Sequence, residues 1–197
     1  MNVALHQARM TREQFLDWAD LQNGRHEFDG YGPVAMTGGT GNHSQISQNL
    51  YFALRSRLQG SGWRVLGPDA GLATGDEAVR YPDAMVTRAQ FAGASRTIPG
   101  VAVVFEVLSP SSGHRDRIEK IREYQRIETL RRYIIVEYDN VGLTVLSRTD
   151  GQADWTATAL LADDTLELPE LGIEFPVPEL YADVDLPADE EAPAVNA

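Results

Sequence analysis

The chain alternates between segments with helical hydrophobic periodicity and short apolar segments bounded by turn residues. The clearest helical pattern follows a glycine-rich loop at residues 38–41, and its apolar positions recur once per turn: Ile46, Leu50, Leu54 and Leu58. A second long helix is predicted for residues 115–130, and Thr11 can cap a short helix that ends at Trp18. These patterns predict one short helix and two long ones.

The other apolar segments have the length and composition of β-strands. A hairpin is predicted to carry residues 26–30 and 34–36. Later strands are predicted, in order, at residues 63–66, 71–74, 80–87, 101–108, 133–137, 143–146 and 155–161. Residues 101–108 are apolar except for Glu106, which is the pattern of a central strand buried on both faces. The order predicts an α/β domain, with residues 171–181 packed back on the sheet edge.

The length and apolar content fit one domain. A chain of 197 residues with 43% hydrophobic residues can bury a full core without disulfides or metals as staples. We assign residues 1–182 to this domain and residues 183–197, rich in Asp, Glu, Pro and Ala, to a disordered acidic tail. The N-terminus lacks an apolar segment suited to a signal peptide, and the longest apolar run is strand-sized. A cytoplasmic protein without a membrane partner is therefore expected.

The composition also limits the ligands. The chain has no cysteine, so a bound metal must be held by carboxylate, imidazole or carbonyl groups, which favours Mg²⁺ or Mn²⁺. The net charge of −12 argues against a protein that coats nucleic acid, because phosphate binding depends largely on Lys and Arg. A nucleic-acid site in this chain must therefore be a local patch.

Glu106 is the strongest single candidate for function. A carboxylate inside a buried strand is costly unless it is paired or binds a cation. The alternative is a structural ion pair with Arg80 or Arg96. Asp83 follows Pro82, where a bulge could aim it inward or where it could face water at a strand entry. If the two strands are neighbours, Asp83 and Glu106 could place two carboxylates around one cation.

Lys120 is the only lysine among 17 basic residues. On a helical wheel its position borders the apolar arc that contains Ile121 and Tyr124. A compact ammonium at one site, in a chain that otherwise uses arginine, favours a role that a planar guanidinium cannot fill. The alternative is a helical ion pair with Asp116, which an arginine would form equally well.

Two further residues are candidates. Glu27 could add a carboxylate to the metal site from the N-terminal hairpin, or it could face solvent as an ordinary strand residue. His43, at the start of a helix, could contact substrate or cap the helix. The loop at residues 38–41 lacks the Gly-Lys-Ser/Thr of a P-loop, so we interpret it as a plain loop.

At these residues the chain resembles the Uma-two family of endonucleases in the PD-(D/E)XK superfamily. The similarity extends from the first helix to Tyr181. It rests on a combination of segments: Arg25-His26-Glu27-Phe28-Asp29-Gly30, His43 at a helix start, Pro82-Asp83, Glu106-Val107-Leu108-Ser109-Pro110-Ser111, the spacing of Asp116, Lys120 and Tyr124, and Tyr133-Ile134-Ile135-Val136. The resemblance implies a restriction-endonuclease-like fold, with a mixed β-sheet flanked by helices and additional N- and C-terminal strands.

The resemblance also implies a metal site formed by Asp83, Glu106 and the carbonyl of Val107. The superfamily's lysine would lie two residues after the glutamate, where this chain has Leu108, so the resemblance suggests that Lys120 replaces it from the following helix. The expected function is a Mg²⁺- or Mn²⁺-dependent endonuclease acting on DNA, with a homodimer as the natural way to cut both strands. The alternative is a catalytically silent nuclease-fold module that binds nucleic acid or a protein partner.

Five residues near these positions are substrate candidates: His43, Arg115, Arg122, Tyr124 and Arg126. The three arginines share one face of the second long helix and could contact phosphates. Glu119 and Glu123 are interleaved with them, so a solvated helix face is the alternative.

Overall fold

The computed structural model describes residues 10–75, 77–109, 114–149 and 154–187, with side chains in the third helix described from residue 117 onward. Within these ranges the helices are α1 Arg12–Ala19, α2 Gly41–Leu58 and α3 His114–Tyr124. α1 begins with a capping box formed by Thr11 and Gln14, and the Thr40 hydroxyl caps α2 by accepting the N–H of His43. No helix in the described ranges is long and apolar enough to cross a membrane.

α3 ends at Tyr124, so the prediction of a helix up to residue 130 is wrong. The N–H groups of Arg126 and Ile127 bond to carbonyls three residues earlier, which tightens the chain into turns. The Arg148 guanidinium donates to three carbonyls of this segment, those of Ile127, Glu128 and Leu130. The Arg148 side chain supplies hydrogen-bond donors for these carbonyls, so they do not need the N–H groups of a longer helix.

The strands are, in chain order, β1 His26–Phe28, β2 Pro33–Ala35, β3 Arg64–Leu66, β4 Leu72–Thr74, β5 Ala78–Arg80, β6 Ala84–Thr87, β7 Val101–Val107, β8 Arg132–Val136, β9 Leu143–Ser147, β10 Thr156–Leu160, β11 Thr165–Leu168 and β12 Ile173–Pro176. The main sheet has the order β10-β9-β8-β7-β6-β3. β7 and β8 are parallel, and the other pairs in this sheet are antiparallel. The predicted mixed α/β sheet, with β7 buried in its interior, is confirmed.

The single strand predicted at residues 80–87 is wrong, because this segment contributes to two sheets. β5 pairs with β1 and β4 in a sheet of order β2-β1-β5-β4, whereas β6 belongs to the main sheet. Pro82 lies between the two strands and has no N–H to donate to a ladder. The break places Asp83 directly before β6, beside the C-terminal end of β7.

Helices cover both faces of the main sheet. α2 packs on one face through Leu50 and Leu54, in the cluster that contains Phe105 of β7. Tyr124 of α3 packs on the other face, in the cluster that contains Val104. Val104 and Glu106 point to the same side of β7, because side chains alternate along a strand. Glu106 therefore faces α3.

The segment after β10 packs with α2, so its predicted location at the sheet edge is wrong. β11 and β12 form a hairpin, followed by a short 3₁₀ helix at Val177–Tyr181. Phe175 and Leu180 are buried in the same cluster as the apolar face of α2. Asn49 of α2 donates to the carbonyls of Leu180 and Ala182. The apolar residues of this segment thus extend the core instead of adding to the ladder.

Part of the predicted tail also contacts the core. Val184 and Leu186 pack against it as partly buried residues, and Asn42 donates to the carbonyl of Asp185. Residues 188–197, which make up most of the tail, lie outside the described residues. The domain boundary between residues 182 and 183 stays a prediction.

Candidate active site

Ionisable side chains from four parts of the fold line one cleft of about 550 Å³: Glu27 of β1, Asp83 directly before β6, Glu106 of β7 and Lys120 of α3. β6 and β7 are antiparallel with Ala84 opposite Phe105, so the preceding Asp83 lies beside Glu106. The tertiary structure therefore brings together four residues that the sequence singled out.

Glu106 is buried in this cleft and is 9% exposed. Its Oε1 accepts a 2.7 Å hydrogen bond from the Tyr124 hydroxyl and lies 3.5 Å from Lys120 Nζ. Burial raises the pKa of Glu106 to about 7, because the opposing charge of Lys120 is partly offset by the nearby carboxylates of Asp83 and Glu27. A cation bound beside Glu106 would stabilise the ionised form of this carboxyl group.

The arginines considered as structural partners of Glu106 bind other carboxylates. Arg80 lies 3.1 Å from Glu27 and 2.8 Å from Glu123. Arg96 pairs at the surface with two acidic residues near the end of α1, Asp17 at 2.8 Å and Asp20 at 3.1 Å. Lys120 is thus the cationic side chain that the described structure places beside Glu106.

Lys120 bridges two carboxylates from different sheets. Its Nζ lies 3.5 Å from Oε1 of Glu27 and 3.5 Å from Oε1 of Glu106, and its side chain is 15% exposed. The prediction that Lys120 borders the buried face of its helix is confirmed. The side chain of Asp116, the alternative partner, lies outside the described side chains.

Asp83 is held by a strand and by a helix. Its Oδ2 accepts a 2.8 Å hydrogen bond from the Val107 N–H, and its Oδ1 lies 3.4 Å from Nε2 of His43. The contact with Asp83 raises the pKa of His43 above its ordinary value, against the effect of partial burial, and the charge of Glu106 adds to the increase. Asp83 therefore stabilises the charged form of His43 relative to the neutral form.

Arg80 is a site residue that the sequence reasoning considered only as a partner for Glu106. It is 2% exposed and donates to Glu27 Oε2 at 3.1 Å and to the two oxygens of Glu123 at 2.8 Å each. Burial opposes its charge, but Glu123 and Glu27 outweigh this effect and raise the pKa of Arg80. Glu27 is itself buried and accepts the N–H of Tyr81, so it is not a solvent-facing strand residue.

Glu123 belongs to this network and not to a solvated helix face. Besides Arg80, it accepts a 2.9 Å hydrogen bond from the Thr74 hydroxyl. A signal for the network was present in the sequence, because Arg80 stands in a short apolar strand in the same way as Glu106. The reasoning that a buried charge needs a partner applies equally to both residues.

The substrate candidates lie in different environments. Arg122 and Arg126 are exposed, and neither is among the described residues that line the cleft. Tyr124 is fully buried, and the side chain of Arg115 lies outside the described side chains. Arg25 lines the cleft instead and lies 3.7 Å from Asp69.

The donor set fits a hard divalent cation. Asp83 and Glu106 offer carboxylate oxygens, and Val107 lines the same cleft. The contacts of Glu106 with Tyr124 and Lys120 both use Oε1, which leaves Oε2 for a ligand. In the described part of the chain no group of three or more His, Asp or Glu side chains has metal-binding geometry. Mg²⁺ commonly binds through one or two carboxylates and keeps several waters, so a magnesium site made of two carboxylates would not belong to a group of that size.

Comparison with known proteins places this cleft in a family context. Residues 12–178 match the Uma2 family, described as "Putative restriction endonuclease". An uncharacterized protein of Synechocystis sp. is 31% identical over 176 residues, which are 88% of this chain and 92% of that protein. The residues matched by the family model include Glu27, Asp83, Glu106 and Lys120.

A solved structure shows the same fold. It is the crystal structure of a "putative nuclease belonging to DUF820" from Anabaena variabilis, with a TM-score of 0.71 at 15% identity. The match covers 87% of this chain and 97% of that chain. The restriction-endonuclease-like fold expected from the sequence is therefore confirmed.

Proposed function

Because this chain belongs to the Uma2 family of restriction-endonuclease-like nucleases, we propose that it is a divalent-cation-dependent endonuclease that hydrolyses phosphodiester bonds in DNA. The observation that carries the proposal is the position of Lys120, 3.5 Å from both Glu27 and Glu106 in a cleft that Asp83 also lines. Carboxylates that can hold a hard cation, beside one compact ammonium, suit the hydrolysis of a phosphodiester.

Asp83 and Glu106 would hold Mg²⁺ or Mn²⁺, with the Val107 carbonyl as a further ligand and Glu27 in support. A cation held by these residues would supply polarisation of the scissile phosphate and a lowered pKa for a bound water. The chain prepares these ligands before binding, because the Val107 N–H orients Asp83 and the Tyr124 hydroxyl orients Glu106. Such supporting hydrogen bonds are a common requirement of metal sites.

Lys120 takes the role of the lysine that the superfamily carries two residues after the glutamate. In this chain that position is Leu108, which packs against the apolar cluster around Tyr124. The Lys120 ammonium reaches the cleft from α3 instead and lies beside Glu106. From there it orients the attacking water and neutralises negative charge that develops on the phosphate in the transition state.

Arg80 is a positioning residue in this mechanism. Its guanidinium connects Glu123 of α3 to Glu27 of β1, so it holds the helix that carries Lys120 against the small sheet. Tyr124, a substrate candidate from the sequence, is also a positioning residue because its hydroxyl is buried on Glu106. Both contacts limit how far Lys120 can move from the carboxylates.

The remaining contacts concern the substrate. His43 lies beside Asp83 and faces the cleft, where a ring N–H could donate to a phosphate oxygen. The exposed Arg122 and Arg126, with Arg115 on the same helix, would contact phosphates that flank the cleft. Two copies of the chain related by a two-fold axis would place one such cleft on each strand of a duplex.

Cleavage of supercoiled plasmid DNA by purified protein tests the proposal. We expect nicking with Mg²⁺ or Mn²⁺ and none with EDTA, and we expect Lys120→Ala and Glu106→Gln to lose activity. Arg96→Ala is the matched control, because it removes an arginine from an exposed ion pair outside the cleft. Absence of nicking with both cations, or full activity in Lys120→Ala, would contradict the proposal.

A second candidate function is a catalytically silent nuclease-fold module that binds nucleic acid or a protein partner. Leu108, at the position where the superfamily carries its lysine, favours this alternative. Under it the purified protein would bind DNA without cutting it, whichever cation is present. Lys120→Ala would then have no activity to lose.

A further inference from the structure

A second groove of about 900 Å³ adjoins the candidate active site and follows the outer face of α2. The two concave regions share four lining residues: Gly39, His43, Pro68 and Asp83. A polymer bound in the cleft could therefore continue into this groove, which we call the α2 groove.

α2 lines the groove with His43 and Ser47 at its border and with a central face formed by Ser44, Gln48, Tyr51, Phe52 and Arg55. At 3.6 residues per turn, the positions of this central face fall within an arc of about 100° on the helix. Residues 44–55 span about 17 Å along the helix axis at 1.5 Å per residue. Nucleotides of a stacked strand repeat at about 3.4 Å, so this length accommodates several of them.

Tyr51 and Phe52 are not part of the core. α2 buries its opposite face, including Leu50 and Leu54, whereas Phe52 is 73% exposed and Tyr51 is 39% exposed. The other large hydrophobic residues that are exposed in the described structure are Leu21, Tyr31, Val34 and Leu161. None of those four lines the α2 groove, so the adjacent aromatic pair distinguishes this surface.

The charge of the chain favours stacking over dense phosphate contacts. A protein with a net charge of −12 can neutralise few phosphates. A rigid duplex, which presents mainly its sugar–phosphate backbone, is therefore a poor ligand for it. Unpaired bases, in contrast, stack on aromatic side chains irrespective of sequence. Arg55 supplies a cation on the floor of the groove, and Asp69 on its wall lies 3.7 Å from Arg25.

We propose that the α2 groove binds unpaired nucleotides of single-stranded DNA that leads into the active cleft, with bases stacked on Tyr51 and Phe52 and a phosphate at Arg55. The inference rests on the proposed nuclease function and deepens it. It names the substrate as DNA with unpaired nucleotides next to the scissile phosphate. Fully paired duplex would be a poorer substrate.

Fluorescence anisotropy in EDTA tests the binding without cleavage. A short fluorescein-labelled oligothymidine should bind more tightly than a blunt duplex of the same length at the same salt concentration. Phe52→Ala and Tyr51→Ala should each weaken binding of the single strand about tenfold, the effect of losing one stacked base. Phe52→Trp should restore the affinity, because indole provides an equivalent stacking surface. Tyr31→Ala is the control, since it removes an equally exposed aromatic residue outside the groove.

Equal affinity for single strand and duplex, absence of oligothymidine binding, or unchanged binding in Phe52→Ala would overturn the inference. Dissociation of a dimer by Phe52→Ala, with unchanged DNA binding, would also overturn it and identify the groove as an interface between copies of the chain. Circular dichroism of each variant verifies that the fold persists.

The outcome is separate from that of the nuclease proposal. Binding that depends on Phe52 in a protein that cuts no DNA would support the groove and contradict catalysis. Cation-dependent cleavage with unchanged oligothymidine binding in Phe52→Ala would support catalysis and contradict the groove. Where both hold, a duplex with a single-stranded flap should be cut faster than a blunt duplex, and Phe52→Ala should remove that preference.

Discussion

The Tyr124 hydroxyl donates a 2.7 Å hydrogen bond to Glu106 Oε1, and both side chains are buried. Tyr124 lies one turn after Lys120 on α3, so the bond that orients Glu106 also sets the distance of Lys120 from β7. Burial and the charge of Glu106 raise the pKa of Tyr124 well above its ordinary value, so the hydroxyl remains a donor. This pair links the helix that carries the lysine to the strand that carries the carboxylate.

Replacement of Tyr124 by Phe should lower the free energy of unfolding by about 1–3 kcal/mol, the usual range for a hydrogen bond to a charged or buried group. The cleavage rate should fall as well, because Glu106 loses the donor that orients it. Urea unfolding of the two proteins measures the first effect. Tyr31→Phe, at an exposed tyrosine, should be neutral, and a Tyr124→Phe protein as stable as the wild type would contradict the role given to this bond.

Lys120→Ala should lower the rate of DNA cleavage by about 10²-fold or more, comparable with the loss of one preorganised electrostatic donor. Lys120→Arg should restore little of it, because a planar guanidinium cannot place a point charge between Glu27 and Glu106. Single-turnover cleavage of a labelled substrate measures both variants. Full activity in Lys120→Arg would show that the ammonium has only a structural role.

Mg²⁺ or Mn²⁺ at millimolar concentration should raise the melting temperature of the wild type. Burial raises the pKa of Glu106, and repulsion from the Asp83 carboxylate raises it further. A cation that binds only the folded state relieves this repulsion. Asp83→Asn and Glu106→Gln should each abolish the increase. Differential scanning calorimetry measures the shift. Isothermal titration calorimetry that detects no binding of a divalent cation would exclude the proposed metal site.

Removal of the Arg80 side chain should be among the most destabilising changes in the chain. Arg80→Met leaves Glu27 and Glu123 without their buried partner, which typically costs about 3–5 kcal/mol. The matched change Arg96→Met breaks a solvent-exposed ion pair at the surface and should destabilise the protein far less. Chemical denaturation compares the two, and equal costs would contradict the assignment of Arg80 as the central residue of this network.

Tyr181 predicts a change of stability at alkaline pH. Its hydroxyl donates to the carbonyls of Gly142 at 2.8 Å and Glu137 at 3.0 Å, and burial raises its pKa from 10.0 to about 12. Because the pKa is higher in the folded state, the stabilisation is fully present below the unfolded value and is lost as the pH rises from 10.0 to about 12. Tyr181→Phe should be less stable at neutral pH and should lose this part of the pH dependence, which denaturant titrations across the range can measure.

Local patterns were sufficient for much of the fold. The one-turn spacing from Ile46 to Leu58 predicted α2, and the apolar segment around Glu106 predicted the central strand β7. These elements follow from sequence because burial of one helix face or of a whole strand leaves a periodic record. The prediction failed where residues distant in sequence determine the local structure. Arg148 donates hydrogen bonds to carbonyls of the segment that follows α3, and residues 80–87 are divided between two sheets.

The sequence by itself determined the chemical types at the candidate site, because a charge in a buried strand and a single lysine are visible without a structure. It also determined the family, through segments that match together. Only the tertiary structure decided which charges meet. From the sequence alone, Glu106 could have paired with Arg80 or Arg96. Instead, β1 pairs with β5, and Arg80 forms ion pairs with Glu27 and Glu123. The packing of α3 on the main sheet places Lys120 between Glu27 and Glu106. Contacts between separate elements depend on tertiary packing, which no local sequence pattern encodes.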